Sequence, residues 1–128
     1  MKKSLLFIVL VLVSRLGLSM DAYDEIANAI RSGDARQLSA FFGNTVELTL
    51  LNQENIYSKA QAELILKDFF SKNTPKSFRI LHNGASPEGT QYAIGNLVTT
   101  NGKTFRTSFY FKNNKGKIVL QELRIETE

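Results

Sequence analysis

Cysteine and tryptophan are absent from this 128-residue chain, and histidine occurs once, as His82. Without cysteine there is no disulfide, thiolate metal site, covalent haem attachment or cysteine nucleophile. A lipid-bearing cysteine at a processed N-terminus is excluded as well. One histidine cannot supply a histidine-rich metal site, and no acidic pair lies near it at ligand spacing. A glycine-rich phosphate loop is also missing, since Gly84 and Gly89 fall in one turn and Asn101-Gly102 in a hairpin signal. Neither a cofactor nor a metal is expected. An excess of one charge is lacking too. The formal net charge is +4, from 16 basic and 12 acidic residues. Setting aside Lys2, Lys3 and Arg15 at the N-terminus leaves 13 basic against 12 acidic residues, mixed along the chain. Phosphate backbones are neutralised by a basic stripe, and such a surface does not fit nucleic acid.

Long apolar runs are missing, with one exception. Leu5 to Val13 is unbroken apolar sequence behind the positive Met1-Lys2-Lys3. As a helix it rises about 13 Å, too short for a hydrocarbon core near 30 Å. The pattern is that of a secretory signal, with Gly17 and Ser19 as the small residues before a cut near Ser19 or Met20. Reading the segment as an uncleaved anchor would place Arg15 in lipid at a cost of a few kcal/mol. The expectation is a signal peptide over residues 1–20 and one domain over residues 21–128. The domain would be exported to the periplasm or the medium, with no stable membrane insertion after cleavage.

What is present reads as α+β. Tyr23, Ile26, Ala27 and Ile30 form a helical apolar stripe. Ser32-Gly33-Asp34 breaks it, and Asp34 with Gln37 forms a capping box for a second helix through Leu38, Phe41 and Phe42, ended by Gly43-Asn44. Residues 45–51 alternate as a strand, with Val46, Leu48 and Leu50 on one face and Thr45, Glu47 and Thr49 on the other. After a turn at Asn52 to Asn55, Ile56-Tyr57 is a short extended piece. Ser58 and Gln61 box the start of a third helix, whose apolar face is Ala62, Ile65, Leu66, Phe69 and Phe70. Everything after Pro75 reads as a four-strand meander, with Phe78, Ile80 and His82 on one face of its first strand. Its turns are Asn83 to Gly89, Asn101-Gly102 and Asn113 to Gly116. Helices early and hairpins late predict a mostly antiparallel sheet with the helices on one face, and its long strands are expected to curl around them.

This order of elements resembles the cone-shaped fold of the nuclear transport factor 2-like superfamily, which includes ketosteroid isomerases, polyketide cyclases and many non-enzymatic members. Six segments carry a closer resemblance, to a family of small exported Bacteroidota proteins of unknown function (DUF4783-like). They are Asn44-Thr45-Val46-Glu47-Leu48, Tyr57-Ser58-Lys59-Ala60-Gln61-Ala62-Glu63, Leu66-Lys67-Asp68-Phe69-Phe70, Pro75-Lys76-Ser77-Phe78, Gln91-Tyr92-Ala93-Ile94-Gly95 and Leu123-Arg124-Ile125-Glu126. The resemblance implies three helices packed on a curved sheet and an envelope address. It implies no activity, because the superfamily fold hosts many functions.

Isomerase-like members of that superfamily set a carboxylate base against a tyrosine and a protonated acid inside the cone. Tyr23 and Glu47 are the nearest candidates here, but Gln91 to Thr100 carries no acid, so no catalytic set is assigned. Two clusters suggest binding instead. Phe41, Tyr57, Phe69, His82, Tyr92 and Phe109 could line a pocket for a small apolar ligand, though nine phenylalanines could equally fill a core. Arg106, Ser108, Tyr110, Glu122 and Arg124 share strand parity and could form an exposed interface, for a second copy or an envelope protein. The bland alternative is a solvated face whose cross-strand pairs contribute roughly 0.2–1 kcal/mol each. The function expected from sequence is an exported non-enzymatic domain binding a protein partner or a small apolar ligand. A cryptic isomerase, cyclase or hydrolase, and a purely structural envelope protein, are the alternatives.

Overall fold

The computed structural model describes residues 20–128; the expected signal segment lies almost wholly outside them. Helix α1 spans Ala22–Ser32, α2 Ala35–Ser39 and α3 Lys59–Lys72, while the strands are β1 Phe42–Leu50, β2 Gln53–Ser58, β3 Pro75–Ala85, β4 Gln91–Thr99, β5 Thr104–Asn114 and β6 Lys117–Thr127. The six strands form one sheet in the order β2-β1-β6-β5-β4-β3. All neighbours are antiparallel except β1 and β6, which run parallel. The architecture is α+β, with three helices on a six-stranded mixed sheet.

Local chemistry explains the helix boundaries. The Asp21 side chain accepts from the Asp24 amide, and Gly33, at φ 67°, closes α1 in the left-handed region. Ser58 and Gln61 exchange both bonds of a capping box at α3. Asp34 caps α2 by accepting from the Gln37 amide at 3.0 Å, while the Gln37 side chain lies 3.4 Å from the Ser32 hydroxyl. The second helix is shorter than its apolar pattern predicts. It ends at Ser39 because the Leu120 amide donates to the Phe41 carbonyl at 2.7 Å and Phe42 pairs with Leu120. Long-range pairing with the last strand thus takes Phe42, Gly43 and Asn44 into β1.

One side of the sheet is buried by the helices. Leu48, Ala93, Leu97, Phe105, Phe109, Phe111, Leu120, Leu123 and Ile125 are all 2 % exposed or less and pack with Ile26, Ile30, Leu38 and Leu66 from the helices. Phe69 meets Phe70 and Phe105 edge to face, with ring centroids 5.7 and 5.4 Å apart. Arg31, in the last turn of α1, donates from Nη2 to the Phe78 carbonyl at 2.9 Å and ties that helix to β3. The Asn73 side chain caps α3 through the Phe69 carbonyl and accepts from Asn101 Nδ2 at 3.1 Å, which joins α3 to the β4–β5 hairpin.

Several turns differ from the sequence expectation. The β1–β2 connection is a two-residue loop, Leu51-Asn52, with φ 50° and 76°. This is the double left-handed geometry that matches sheet twist. The β5–β6 loop, Lys115-Gly116, has the same character, with φ 51° and 88°. At Asn101-Gly102 the loop is longer than two residues, because Thr99 bonds to Lys103 and Val98 pairs with Thr104. Strand β3 continues to Ala85, and the Asn83 to Gly89 turn shrinks to Ser86–Thr90.

Two extra residues redirect side chains. Ile80 pairs with Gly95 and His82 with Ile94, which leaves Leu81 as the bulged residue. His82 therefore does not share the face of Phe78 and Ile80. In β6, Phe111 pairs with Leu120 and Tyr110 with Glu122, so Gln121 is extra and Leu120 and Leu123 both turn inward.

Candidate functional site

The face away from the helices, called the outer face below, carries the polar chemistry. Along β5 the alternation buries Phe105, Thr107, Phe109 and Phe111 and sends Arg106, Ser108 and Tyr110 outward. Register then sets their neighbours. Arg106 lies opposite Glu126, Ser108 opposite Arg124, and Tyr110 opposite Glu122. On the other side of β5, Asn96, Ile94 and Tyr92 oppose the same three residues. Directly paired residues share a face, so the five interface residues expected from sequence stand together. Ile94, Arg106, Ser108, Tyr110, Arg124 and Glu126 line a shallow open depression of about 230 Å³.

Arg124 is the hub of this patch. Its Nε donates to Glu126 at 2.7 Å and its Nη1 to Glu122 at 3.3 Å. The bond to Glu126 holds the guanidinium above its ordinary value; burial opposes it as the next largest effect, and the charge of Glu126 with the bond and charge of Glu122 adds to the rise. The carboxylates continue into β1 and β2. Glu47 lies opposite Glu122 on one side and Ile56 on the other, and Thr49 lies between Arg124 and Glu54. The Glu47 carboxyl is raised above its ordinary value, first by a hydrogen bond shared with Glu54, then by the charge of Glu122 and by burial. Arg124 acts in the opposite sense and more weakly. Thr49 is 3 % exposed, and its Oγ1 has no hydrogen-bond partner.

The six pocket residues expected from sequence are dispersed. Phe69 and Phe109 are buried in the core, and Phe41 and Tyr57 pack against it half-buried, from the α2–β1 junction and from β2. His82 and Tyr92 are on the outer face instead, His82 because of the bulge at Leu81 and Tyr92 because it alternates with the inward Ala93 and Leu97. His82 Nε2 lies 3.2 Å from the Tyr92 hydroxyl, and the Tyr92 ring stacks on Tyr110 with centroids 6.0 Å apart. Tyr92 also covers Gly84, where an added Cβ would stand 2.8 Å from its hydroxyl. Glu47, the nearest candidate base, lies on that face too, separated from Tyr92 by β6 and β5. Tyr23 is spent structurally: its hydroxyl donates to the Gly84 carbonyl at 2.9 Å and its ring meets Phe111 edge to face at 5.1 Å. Among the described residues no group of three or more His, Cys, Asp or Glu side chains is placed to hold a metal ion.

Sequence reasoning missed the continuation of the polar face into Glu54, Thr49 and Glu126. Parity within β1 separates Glu47 and Thr49 from Leu48, but only the parallel pairing with β6 sets them beside Glu122 and Arg124.

The fold built from these elements resembles the nuclear transport factor 2-like fold. A Xanthomonas campestris protein described as a calcium/calmodulin dependent protein kinase II association domain superimposes with a TM-score of 0.61 at 14% identity, covering 83% of this chain and 82% of that one. At this identity the likeness is one of fold alone. The narrower assignment follows from sequence: residues 23–126 match the profile of the domain of unknown function DUF4783, and the chain belongs to that family. A family member from Bacteroides ovatus is 27% identical with a TM-score of 0.74, covering 85% of this chain and 96% of that chain. Another, from Bacteroides fragilis, is 26% identical with a TM-score of 0.75, covering 86% and 100%. No curated protein matches the chain. Among the described residues no helix is long and apolar enough to cross a membrane.

Proposed function

We propose that this chain is an exported, non-enzymatic binding domain whose working surface is the outer face of β4, β5 and β6, and that this surface takes a second copy of the domain. One observation carries the reading: the outer face presents both charges in adjoining rows, with Arg106 and Arg124 beside Glu122 and Glu126, around the half-buried Tyr92, Ile94 and Tyr110. A surface of this kind is complementary to itself under two-fold rotation, the commonest symmetry of homo-oligomers. Aromatic residues with arginine are also what interface centres favour. The phenylalanines on the other side of the sheet are engaged with one another and with the helices, which supports a protein partner over a small apolar ligand. Export rests on the N-terminal signal pattern, and cleavage near Ser19 or Met20 would release the domain.

Sedimentation velocity on the chain from residue 21 onward tests the association. Concentration-dependent dimers are expected for the wild type. Arg106→Glu and Tyr110→Ala are each expected to weaken them about tenfold or more while the folded spectrum is kept. A wild type that stays monomeric at high concentration, or dimers indifferent to both substitutions, overturns the reading. Mass spectrometry of the intact processed protein would check the export step, and retention of residues 1–20 would count against it.

A further inference from the structure

The two edges of the sheet are built differently. Strand β3 begins at Pro75, carries Lys76 and Arg79, and has register shifts between Pro75 and Ser77 and between Ile80 and His82. Proline, cationic side chains and bulges are the devices that blunt an edge against further pairing. Strand β2 has none of them. It runs in continuous register against β1 from Gln53 to Ser58, and all its side chains except Tyr57 are exposed. Ile56 is 71 % exposed, the most exposed large apolar side chain among the described residues.

The hairpin geometry identifies which backbone groups face out. Leu50 and Gln53 close a two-residue loop and so exchange both ladder bonds. Alternation then points the N–H and C=O of Asn55 and Tyr57 toward β1 and those of Glu54 and Ile56 toward the open edge. The next outward amide, Ser58, is already committed to Gln61 Oε1 at 3.3 Å in the α3 capping box. The side chains of Glu54 and Ile56 stand on the outer face, in the patch containing Glu47, Thr49 and Glu122.

That patch is short of positive charge. Glu122 and Glu126 are both engaged by Arg124, whereas among the described residues Glu47 and Glu54 form no salt bridge. The hydroxyl of Thr49, desolvated and without a partner, lies in register between Glu54 and Arg124. We infer that the β2 edge accepts an extended segment of a partner protein as a seventh strand, one that carries lysine or arginine opposite Glu54 and an apolar residue opposite Ile56. Main-chain bonds to Glu54 and Ile56 give such strand addition its affinity, and alternate side chains give its selectivity. The partner's cation would meet the Glu47–Glu54 pair beside Thr49. A second copy of this chain fits the edge poorly, because two β2 strands side by side would bring Glu47 and Glu54 of both copies together. The inference concerns another element and another chemistry than the proposed self-association.

The test uses fluorescence anisotropy of the domain with a labelled synthetic peptide of about nine residues in which every second position is alternately lysine and valine and the positions between are threonine, so that one face offers lysine to Glu54 and valine to Ile56; its length suits one strand. Two control peptides accompany it, one with glutamate for lysine and one with alternate amides N-methylated. The lysine peptide is expected to bind, to shift the amide resonances of Glu54 and Ile56, and to lose about tenfold or more in affinity on N-methylation or on Glu54→Lys. The glutamate peptide is expected not to bind. Equal binding of the N-methylated peptide would reduce the effect to charge attraction and overturn the inference. So would indifference to Glu54→Lys, resonance shifts confined to β3 or to β4–β6, no binding at millimolar peptide, or self-association abolished by Ile56→Pro. Arg106→Glu and Tyr110→Ala are expected to leave peptide binding unchanged, so failure here and failure of the dimer reading are separately visible.

Discussion

Replacing Gly95 with alanine tests the account of how β3 bends. An ideal Cβ at Gly95 stands 2.2 Å from the Arg79 carbonyl oxygen, 2.9 Å from its carbon and 3.1 Å from Ile80 Cα. All three neighbours are backbone, so no side chain can rotate away. Restoring ordinary contact requires β3 to move by about 1 Å against β4 at the place where Leu81 bulges. Overpacking of this kind costs about 1–3 kcal/mol, and each ladder bond broken beside it costs about 1 kcal/mol more. The expected loss is about 2–4 kcal/mol. For a domain of this size that lowers Tm by roughly 10–25 °C. The control is Gly89→Ala, at φ 89° with nothing within 4 Å of the added Cβ, where only the left-handed backbone cost of about 1 kcal/mol applies. Thermal and urea unfolding followed by circular dichroism would compare the two variants. Equal losses would refute the reasoning, because they would mean that the close approach of β3 to Gly95 contributes nothing. If the bend is lost, the contact between His82 and Tyr92 should go with it, read as a change in the His82 ring resonances.

Three further outcomes follow from local geometry and charge. Leu51→Asn should stabilise the domain by about 1 kcal/mol, because Leu51 sits at φ 50° in a turn that favours asparagine; a denaturant midpoint at or below wild type would contradict this. Ser58→Ala should cost about 1 kcal/mol by removing the α3 cap, and an unchanged midpoint would show that the box contributes nothing. Glu47→Gln should alter the pH dependence of stability. Between the ordinary value of 4.5 and its raised value, native Glu47 holds a proton that the unfolded chain has released. Wild-type stability therefore falls as pH rises through that window. The glutamine variant should gain on the wild type across it and show no advantage below pH 4.5. A pH-independent difference would refute the assignment.

Elements with local chemistry were legible in the sequence. The caps at Asp34 and Ser58, the helical stripes and the alternation of β5 each depend on residues a few positions apart. Parity within β5 puts Arg106, Ser108 and Tyr110 on one face, but the β5–β6 hairpin register alone would set Glu122 opposite Phe109, and it is the extra residue Gln121 that brings Glu122 and Arg124 round beside them. The pocket set failed because one bulged residue reverses every later position in a strand. His82 changes sides at Leu81, and nothing in Phe78-Arg79-Ile80-Leu81-His82 marks the extra residue. Tyr92 is a different case, since β4 alternates without a break and its parity against Ala93 and Leu97 already sets it on the outer face. The length of α2 was misjudged because Phe41 and Phe42 suit a helix locally, while Leu120, far along the chain, claims them for the sheet.

The parallel pairing of β1 with β6 bears on how the chain acquires its structure. Leu48 meets Leu123 across this seam, so about 75 residues must be spanned before β1 gains its central neighbour, an entropic demand that slows folding. Strand β6, sixth in chain order, is an interior strand of the sheet and supplies Leu120, Leu123 and Ile125 to the core. Until it pairs, the β1–β2 hairpin and the β3–β5 meander have no strand between them. The two parts of the sheet therefore depend on one strand to meet, and the core they share is complete only when β6 is seated.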